Sequence, residues 1–332
     1  MSTNKMNPGR LLGISGAYWQ TCTLHAGVEL DLFSRISRGT CTVKDLAGEV
    51  KADERGLAML LDALSAMDLL EKKEDRYRNT PEAEMFLSRE SPGYVGFMIR
   101  HHHHLVESWS KLDEAVKTGL PVRKRASYGE EERRESFLMG MFNNAMATAP
   151  LLVPGIDLSS RTRLLDLGGG PGTYAVHFCM QNPGLTAAVY DLETTRPFAE
   201  KIIKQFSMED RVEFMPGDYL TQPVTGSFDV AFLSHILHGE SPEDCRGIIE
   251  KAVKVLEPGG MIIVHEFILD NTRDRPLFPA LFSLNMLLGT RGGQAYSQEE
   301  LVRMLESAGV KEIVRTPFKG PTESGIILGT LK

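Results

Sequence analysis

The sequence predicts an α/β fold in which a doubly wound parallel sheet follows a smaller, mostly helical module. Three observations carry that prediction. After residue 161, short continuous apolar runs alternate with helical stretches, the pattern of parallel strands buried on both faces. The chain closes on two further strands, a hairpin added to that sheet. The first ninety residues instead show helical spacing with a single charged hairpin.

Taken in order, residues 10–38 read as one helix, with Leu24, Val28, Leu30, Leu32, Phe33 and Ile36 on its apolar face. Thr42 caps a second helix running to Val50, and Asp53 caps a third through Leu57, Leu60, Leu61, Leu64 and Met67. Residues 69–71 and 76–80, separated by a charged turn, suit two short strands. Helix, helix, helix, hairpin is the winged-helix pattern, which serves DNA reading or dimerisation. On the second candidate recognition helix Asp53, Glu54, Asp62 and Asp68 face one arginine, Arg55, a balance that repels phosphates. Dimerisation is therefore expected, and a cofactor-responsive DNA-binding regulator is the non-enzymatic rival. Residues 92–150 read as helices rich in large apolar side chains such as Phe97, Met98, Trp109, Phe137 and Met141, interrupted by a polar stretch at 121–132. The parallel strands are expected at 163–167, 186–190, 212–215, 228–233 and 261–269, with helices near 174–181, 195–206 and 242–256. Ser297 caps a helix at 298–308, and strands at 311–317 and 325–331 are joined by a short turn.

A length of 332 residues suits about two domains. With 42% hydrophobic and 24% charged residues the chain is globular, which excludes a disordered, collagen-like or disulfide-scaffold protein. Of the net charge of -7, residues 161–332 hold -5 (17 basic against 22 acidic), and no segment is a basic polyelectrolyte. Nucleic acid and anionic membranes are thus not expected partners. Cys22, Cys41, Cys179 and Cys245 are scattered without metal-site spacing. No uninterrupted 18-residue apolar run and no signal-peptide core occur, so the expected location is the cytoplasm.

The first parallel strand runs through Asp166 into Gly168-Gly169-Gly170-Pro171-Gly172. Glycines at a strand-to-helix turn let backbone approach a ligand. Position 173 is threonine, so the dinucleotide fingerprint is incomplete, and the nucleoside triphosphate loop lacks its Gly-Lys-Ser/Thr. Asp191 closes the next strand, where an acid can accept ribose hydroxyls, and Asp218-Tyr219 follows the third. Carboxylates at three successive strand ends suit an adenosine carrying positive charge better than an anionic pyrophosphate.

These residues resemble the class I S-adenosylmethionine-dependent O-methyltransferases of the caffeate and acetylserotonin type, over nearly the whole chain. Leu165-Asp-Leu-Gly-Gly-Gly-Pro-Gly is similar to the family's cofactor loop, Tyr190-Asp-Leu to its ribose-binding strand end, Gly217-Asp-Tyr to its adenine-side acid and Leu256-Glu-Pro-Gly-Gly to the turn before its fifth strand. The resemblance implies a seven-stranded Rossmann-like methyltransferase sheet over residues 156–332, a winged-helix dimerisation domain over 1–92 and a helical substrate roof over 93–155. It also implies a homodimer and a small-molecule acceptor, with S-adenosyl-L-homocysteine as the spent cofactor. Cofactor contacts are then expected from Asp166, Gly168, Gly169, Gly170, Asp191, Leu192, Asp218, Tyr219, Ser234 and His235.

The fourth strand ends in Ser234-His235-Ile236-Leu237-His238-Gly239, outside the carboxyl end of a parallel strand where ligands bind. Methyl transfer to a hydroxyl needs its proton removed, work suited to a neutral imidazole. The resemblance makes His238 the general base and Glu266, 28 residues on, the acid that orients it through the other ring nitrogen. His235 is expected on the adenine side. Three positions depart from the family: Gly239 replaces an acid, Ala295 replaces a second orienting acid, and Ser234 replaces a lysine. These leave open carbon or nitrogen methylation, or chemistry other than methylation such as hydroxylation or decarboxylation. The pocket positions implied by the family are Ile99, Arg100, Leu138, Phe142, Met146, Phe282, Met286 and Thr290, each equally readable as core. His101–His104 has no acidic or cysteine companions, so no metal is expected there, and one face of the run is expected beside the substrate cavity.

Overall fold

A computed structural model describes residues 7–39, 41–125 and 131–332. The chain divides into two compact units, Met1–His104 and Leu105–Lys332.

The first unit contains α1 (Gly9–Gly16), α2 (Tyr18–Glu29), α3 (Leu32–Ser37), β1 (Cys41–Thr42), α4 (Val43–Val50), α5 (Glu54–Ala66), β2 (Leu70–Lys73), β3 (Arg76–Asn79), α6 (Pro81–Leu87) and the start of α7 (Gly96–Trp109). The single helix expected over residues 10–38 is three. Its sharpest break is Asp31, whose φ of 53° is left-handed, a conformation aspartate tolerates better than most residues. The break turns Leu32 and Phe33 into a core shared with Leu46, Leu57, Leu61, Leu64 and Tyr77. The expected caps form: Thr42 and Asp45 make a reciprocal capping box, and Asp53 accepts from the Gly56 N–H. The hairpin gains a third strand, because β1 pairs with β3. Two residues are too few to show a strand period in the sequence.

The second unit contains α8 (Leu112–Thr118), α9 (Glu131–Leu152), β4 (Arg163–Leu167), α10 (Thr173–Gln181), β5 (Thr186–Asp191), α11 (Arg196–Gln205), β6 (Val212–Pro216), β7 (Phe228–Ser234), α12 (Pro242–Lys254), β8 (Leu256–Glu266), α13 (Leu277–Gly289), α14 (Gln298–Ser307), β9 (Val310–Arg315) and β10 (Gly325–Leu331). Of the polar stretch expected at 121–132, residues 126–130 lie outside the described residues. The sheet has seven strands in the order β6-β5-β4-β7-β8-β10-β9, parallel except for β10, which is antiparallel to both neighbours. Alternation along β4 sends Leu164 into one core with α10 and α11, and Leu165 and Leu167 into another with α12 and α14. Both faces are therefore covered.

Three local expectations change. Residues 316–324 separate β9 from β10, a longer connection than the short turn expected. The fifth parallel strand starts at Leu256, paired with Phe228, and residues 257–260 bulge out before Met261 pairs with Val230. Helix α13 has apolar residues all round and so gave no helical period to read. Residues 131–155 are long and apolar enough to cross a membrane by composition, but half of that apolar window is buried inside the protein.

Strand order reverses between β4 and β7, the neighbours from which the chain winds outward in both directions. A ligand crevice is expected beyond the carboxyl ends at that switch point.

Candidate active site

Beyond β4 the chain makes a tight loop over Asp166. Gly168 sits at φ +67°, and a Cβ there would come within 2.6 Å of Ile236 Cγ2 and 3.2 Å of the Tyr219 ring. A Cβ on Gly169 would stand 2.6 Å from the Asp166 carboxyl carbon. Side chains are thus excluded from the loop, and Asp166 is sealed beneath it at 0% exposure. Neither of its carboxylate oxygens has a hydrogen-bond partner. Burial, offset in part by the nearby Ala175 N–H and reinforced by the charge of Asp191, pushes its pKa up to about 7. The hydroxyl of Thr173, at the start of α10, is likewise buried without a partner.

Asp191 ends β5. Its Oδ2 accepts from the Gly170 N–H at 2.8 Å, and its Oδ1 accepts from the Leu192 N–H at 2.7 Å and the Thr195 hydroxyl at 2.9 Å. Burial raises its pKa against these three donors. Asp218 shapes the turn after β6, accepting from the Leu220 N–H and the Thr221 hydroxyl. Tyr219 stands against the glycine loop, and its hydroxyl lies 3.4 Å from Glu240 Oε1.

The ends of β7 and β8 bring His238 and Glu266 together, as their spacing on neighbouring strands requires. Glu266 Oε2 lies 2.8 Å from His238 Nδ1 and accepts from the Phe267 N–H at 3.1 Å, while Oε1 accepts from the N–H groups of Leu237 and His238 at 3.0 and 3.2 Å. Burial opposes ionisation of Glu266, but the charge and hydrogen bond of His238, with the charge of His235, outweigh it and hold the carboxyl well below the usual carboxylate range. An ionised Glu266 assigns the His238 proton to Nδ1 and leaves Nε2 as the basic nitrogen. The His238 ring packs edge-on to Phe282 at 4.8 Å and over Phe267 at 5.8 Å.

His235 joins this pair. At φ 56° its backbone is left-handed, and its ring centroid is 4.3 Å from those of both His265 and Phe267. Its Nδ1 lies 3.6 Å from Glu266 Oε2, too far for a hydrogen bond, and has no partner. The Ser234 hydroxyl is 3.0 Å from His265 Nδ1. The Gly292-Gly293 turn packs directly on the base: a Cβ on Gly293 would lie 2.5 Å from the His238 carbonyl oxygen. Ala295 is fully buried.

Of the expected pocket residues, Phe282 touches the base. Met286 and Thr290 follow it on the same helix and its end, both largely buried, and the Thr290 hydroxyl donates to the Met286 carbonyl and accepts from the Gly293 N–H. Leu138 is buried and Phe142 and Met146 are half-buried on α9. In the first unit, Ile99 packs against that unit's core and Arg100 pairs with Glu29. Reading the sequence missed Phe267 and Phe278, which form an aromatic cluster with Phe282 at 4.6 and 5.9 Å. The position of Phe267 directly after Glu266 was the available signal. It also missed Glu240, buried and held by both terminal nitrogens of Arg125, an ion pair across 115 residues that no local pattern announces.

The chain matches the O-methyltransferase domain family over residues 109–311 and the O-methyltransferase dimerisation domain family over residues 12–89. It belongs to the S-adenosylmethionine-dependent O-methyltransferase family. It is 31% identical to a 3-hydroxy-5-methyl-1-naphthoate 3-O-methyltransferase of Streptomyces sahachiroi, over 97% of this chain and 95% of that one. It is 30% identical to the N,N-dimethyltransferase OxyT of Streptomyces rimosus, over 91% and 90%. The crystal structure of human N-acetylserotonin methyltransferase in complex with its methyl donor matches with a TM-score of 0.87 at 26% identity, covering 100% of this chain and 99% of that one.

This methyltransferase takes S-adenosylmethionine as its cofactor, and the residues of the crevice fit it. The donor carries an ammonium and a sulfonium, and Asp166 offers a buried carboxylate that the nearby Ala175 N–H offsets only in part. The glycine loop leaves open space at Gly170, where an added Cβ meets nothing within 4 Å. Asp191 uses three of its roughly four acceptor sites within the chain, leaving capacity for a ribose hydroxyl.

Proposed function

We propose that this methyltransferase acts on a hydroxyl of an aromatic or polyketide-like small molecule, as a homodimer, with His238 as general base and Glu266 as the residue that positions it. The observation that carries the proposal is the 2.8 Å contact between His238 Nδ1 and a buried Glu266 that accepts three further backbone donors. With Nδ1–H engaged, Nε2 has its lone pair available for the acceptor's proton. Glu266 fixes the tautomer and stabilises the imidazolium once the proton has moved. Phe267, Phe278 and Phe282 give the base an aromatic wall, suited to a flat ring beside the reacting hydroxyl.

For the cofactor we assign Asp166, Gly168, Gly169, Gly170, Asp191, Leu192 and Tyr219 as its binding residues, with Asp218 as the residue that shapes the turn beneath it. When bound, S-adenosylmethionine supplies an electrophilic methyl group on its sulfonium. The homodimer rests on the matched dimerisation domain. Transfer to carbon or nitrogen is the second reading, favoured by the apolar, fully buried Ala295 where the family's second orienting acid is expected.

His238→Ala tests the assignment with S-adenosylmethionine and a panel of phenolic and polyketide acceptors. Cofactor affinity is expected to persist while turnover falls by about 10²–10⁴, the usual contribution of a positioned base. Retained methylation in the variant would overturn the role of His238. A methyl-labelled cofactor with fragmentation of the product places the label on oxygen, or else on carbon or nitrogen.

A further inference from the structure

We propose that His235, His238 and Glu266 form a binding site for a zinc-class divalent transition metal, and that its occupation silences methyl transfer. Their three ligand atoms all lie within 4.8 Å of one another. Both imidazoles turn Nδ1 toward the same oxygen, Glu266 Oε2, at 2.8 Å for His238 and 3.6 Å for His235. Metal–ligand bonds of about 2.0–2.2 Å in tetrahedral array place neighbouring ligand atoms about 3.4 Å apart, between the two separations observed.

The His235 nitrogen supplies the independent observation. Nδ1 is buried, hydrogen-bonded to nothing, and held in place by a left-handed backbone at φ 56°. A third imidazole, His265, is close by but already used: its Nδ1 lies 3.0 Å from the Ser234 hydroxyl and its Nε2 2.9 Å from that of Ser324. Two imidazoles and one carboxylate are a donor set for zinc, cobalt or iron, and three protein ligands leave coordination positions open. Glu266 Oε1 stays on its two backbone N–H groups, so the carboxylate is oriented before any metal arrives.

The consequence for the base follows from proton balance. A neutral imidazole holds one proton and one free lone pair. If the metal takes the lone pair at His238 Nδ1, the ring's single proton resides on Nε2, and that nitrogen can no longer accept a proton from the acceptor. The silencing rests on His238 being the base; the metal site does not.

Cobalt(II) titration of the protein tests the site, in a His101→Gln/His104→Gln background that breaks the i, i+3 pair of the histidine run able to share a metal. One equivalent is expected to give a visible d–d absorption band that zinc displaces, and both His235→Phe and His238→Ala should lose it. His235→Phe is checked for folding by circular dichroism, and His238→Ala stands as the second variant should it fail. Absence of the band, or its persistence in either folded variant, overturns the site. In the same background, one equivalent of zinc is expected to abolish methyl transfer. Zinc bound with undiminished turnover would overturn the silencing and, with it, the assignment of His238 as base, while leaving the site itself in place.

Discussion

Asp166→Asn offers the sharpest test of the cofactor crevice, because it should stabilise the free protein while weakening its function. Asp166 is fully buried with neither oxygen hydrogen-bonded, and its pKa stands at about 7, against about 3.9 in an unfolded chain. A carboxyl whose pKa is raised on folding binds more protons folded than unfolded, so its contribution to stability falls as pH rises from about 4 to about 7. Integrated at about 1.36 kcal/mol per pH unit, the penalty is about 1.5 kcal/mol at pH 5 and about 4 kcal/mol at pH 8. Asparagine is neutral at both and nearly isosteric, so it recovers the difference. The extra gain at pH 8 over pH 5, about 2.5 kcal/mol, corresponds to about 5–10 °C in melting temperature for a domain of this size. Thermal melts of the cofactor-free protein and variant at the two pH values measure it. Calorimetric titration should at the same time show S-adenosylmethionine binding about 10–100-fold more weakly, the worth of one charged hydrogen bond. A shift equal at both pH values would refute the uncompensated carboxylate, and unchanged affinity would refute its role toward the cofactor.

Glu266→Gln turns donor N–H groups toward the donors that Glu266 now accepts, so kcat should drop by about 10²–10⁴ with a smaller change in KM. Because the Glu266 pKa is lowered on folding, its stabilisation is present above about pH 4.3 and is lost as pH falls toward its folded value. The wild type should accordingly lose stability more steeply than the variant in acid melts. Gly293→Ala brings a methyl within 2.5 Å of the His238 carbonyl oxygen; steady-state kinetics should show about a 100-fold loss, with cofactor binding intact by calorimetry. Glu240→Ala removes the buried carboxylate that holds Arg125, and chemical denaturation should report a loss of about 3 kcal/mol, partly restored by glutamine.

Much of the sheet was legible because its signals are local. A strand buried on both faces is a continuous apolar run, a capping residue sits next to the helix it caps, and a glycine loop must directly follow its strand. Thus β4, β10, the caps Thr42, Asp53 and Ser297, and the loop over Asp166 stand where the chain's own pattern puts them. Where local pattern is weak the reading failed, as at α13, which is apolar on every side, and at Asp31, where one left-handed residue ends a helix that the periodicity would continue.

By itself the sequence determined the alternation of the sheet's strands and helices, the family and the candidates His238 and Glu266, since each rests on residue type and spacing along the chain. Only the tertiary structure decided that His235 turns the same nitrogen toward Glu266 as His238 does, that Arg125 grips Glu240, and that Gly293 must lack a side chain beneath the base. Those contacts join residues whose meeting depends on strand register, backbone hand and close packing, quantities set by the whole fold rather than by any neighbour in sequence.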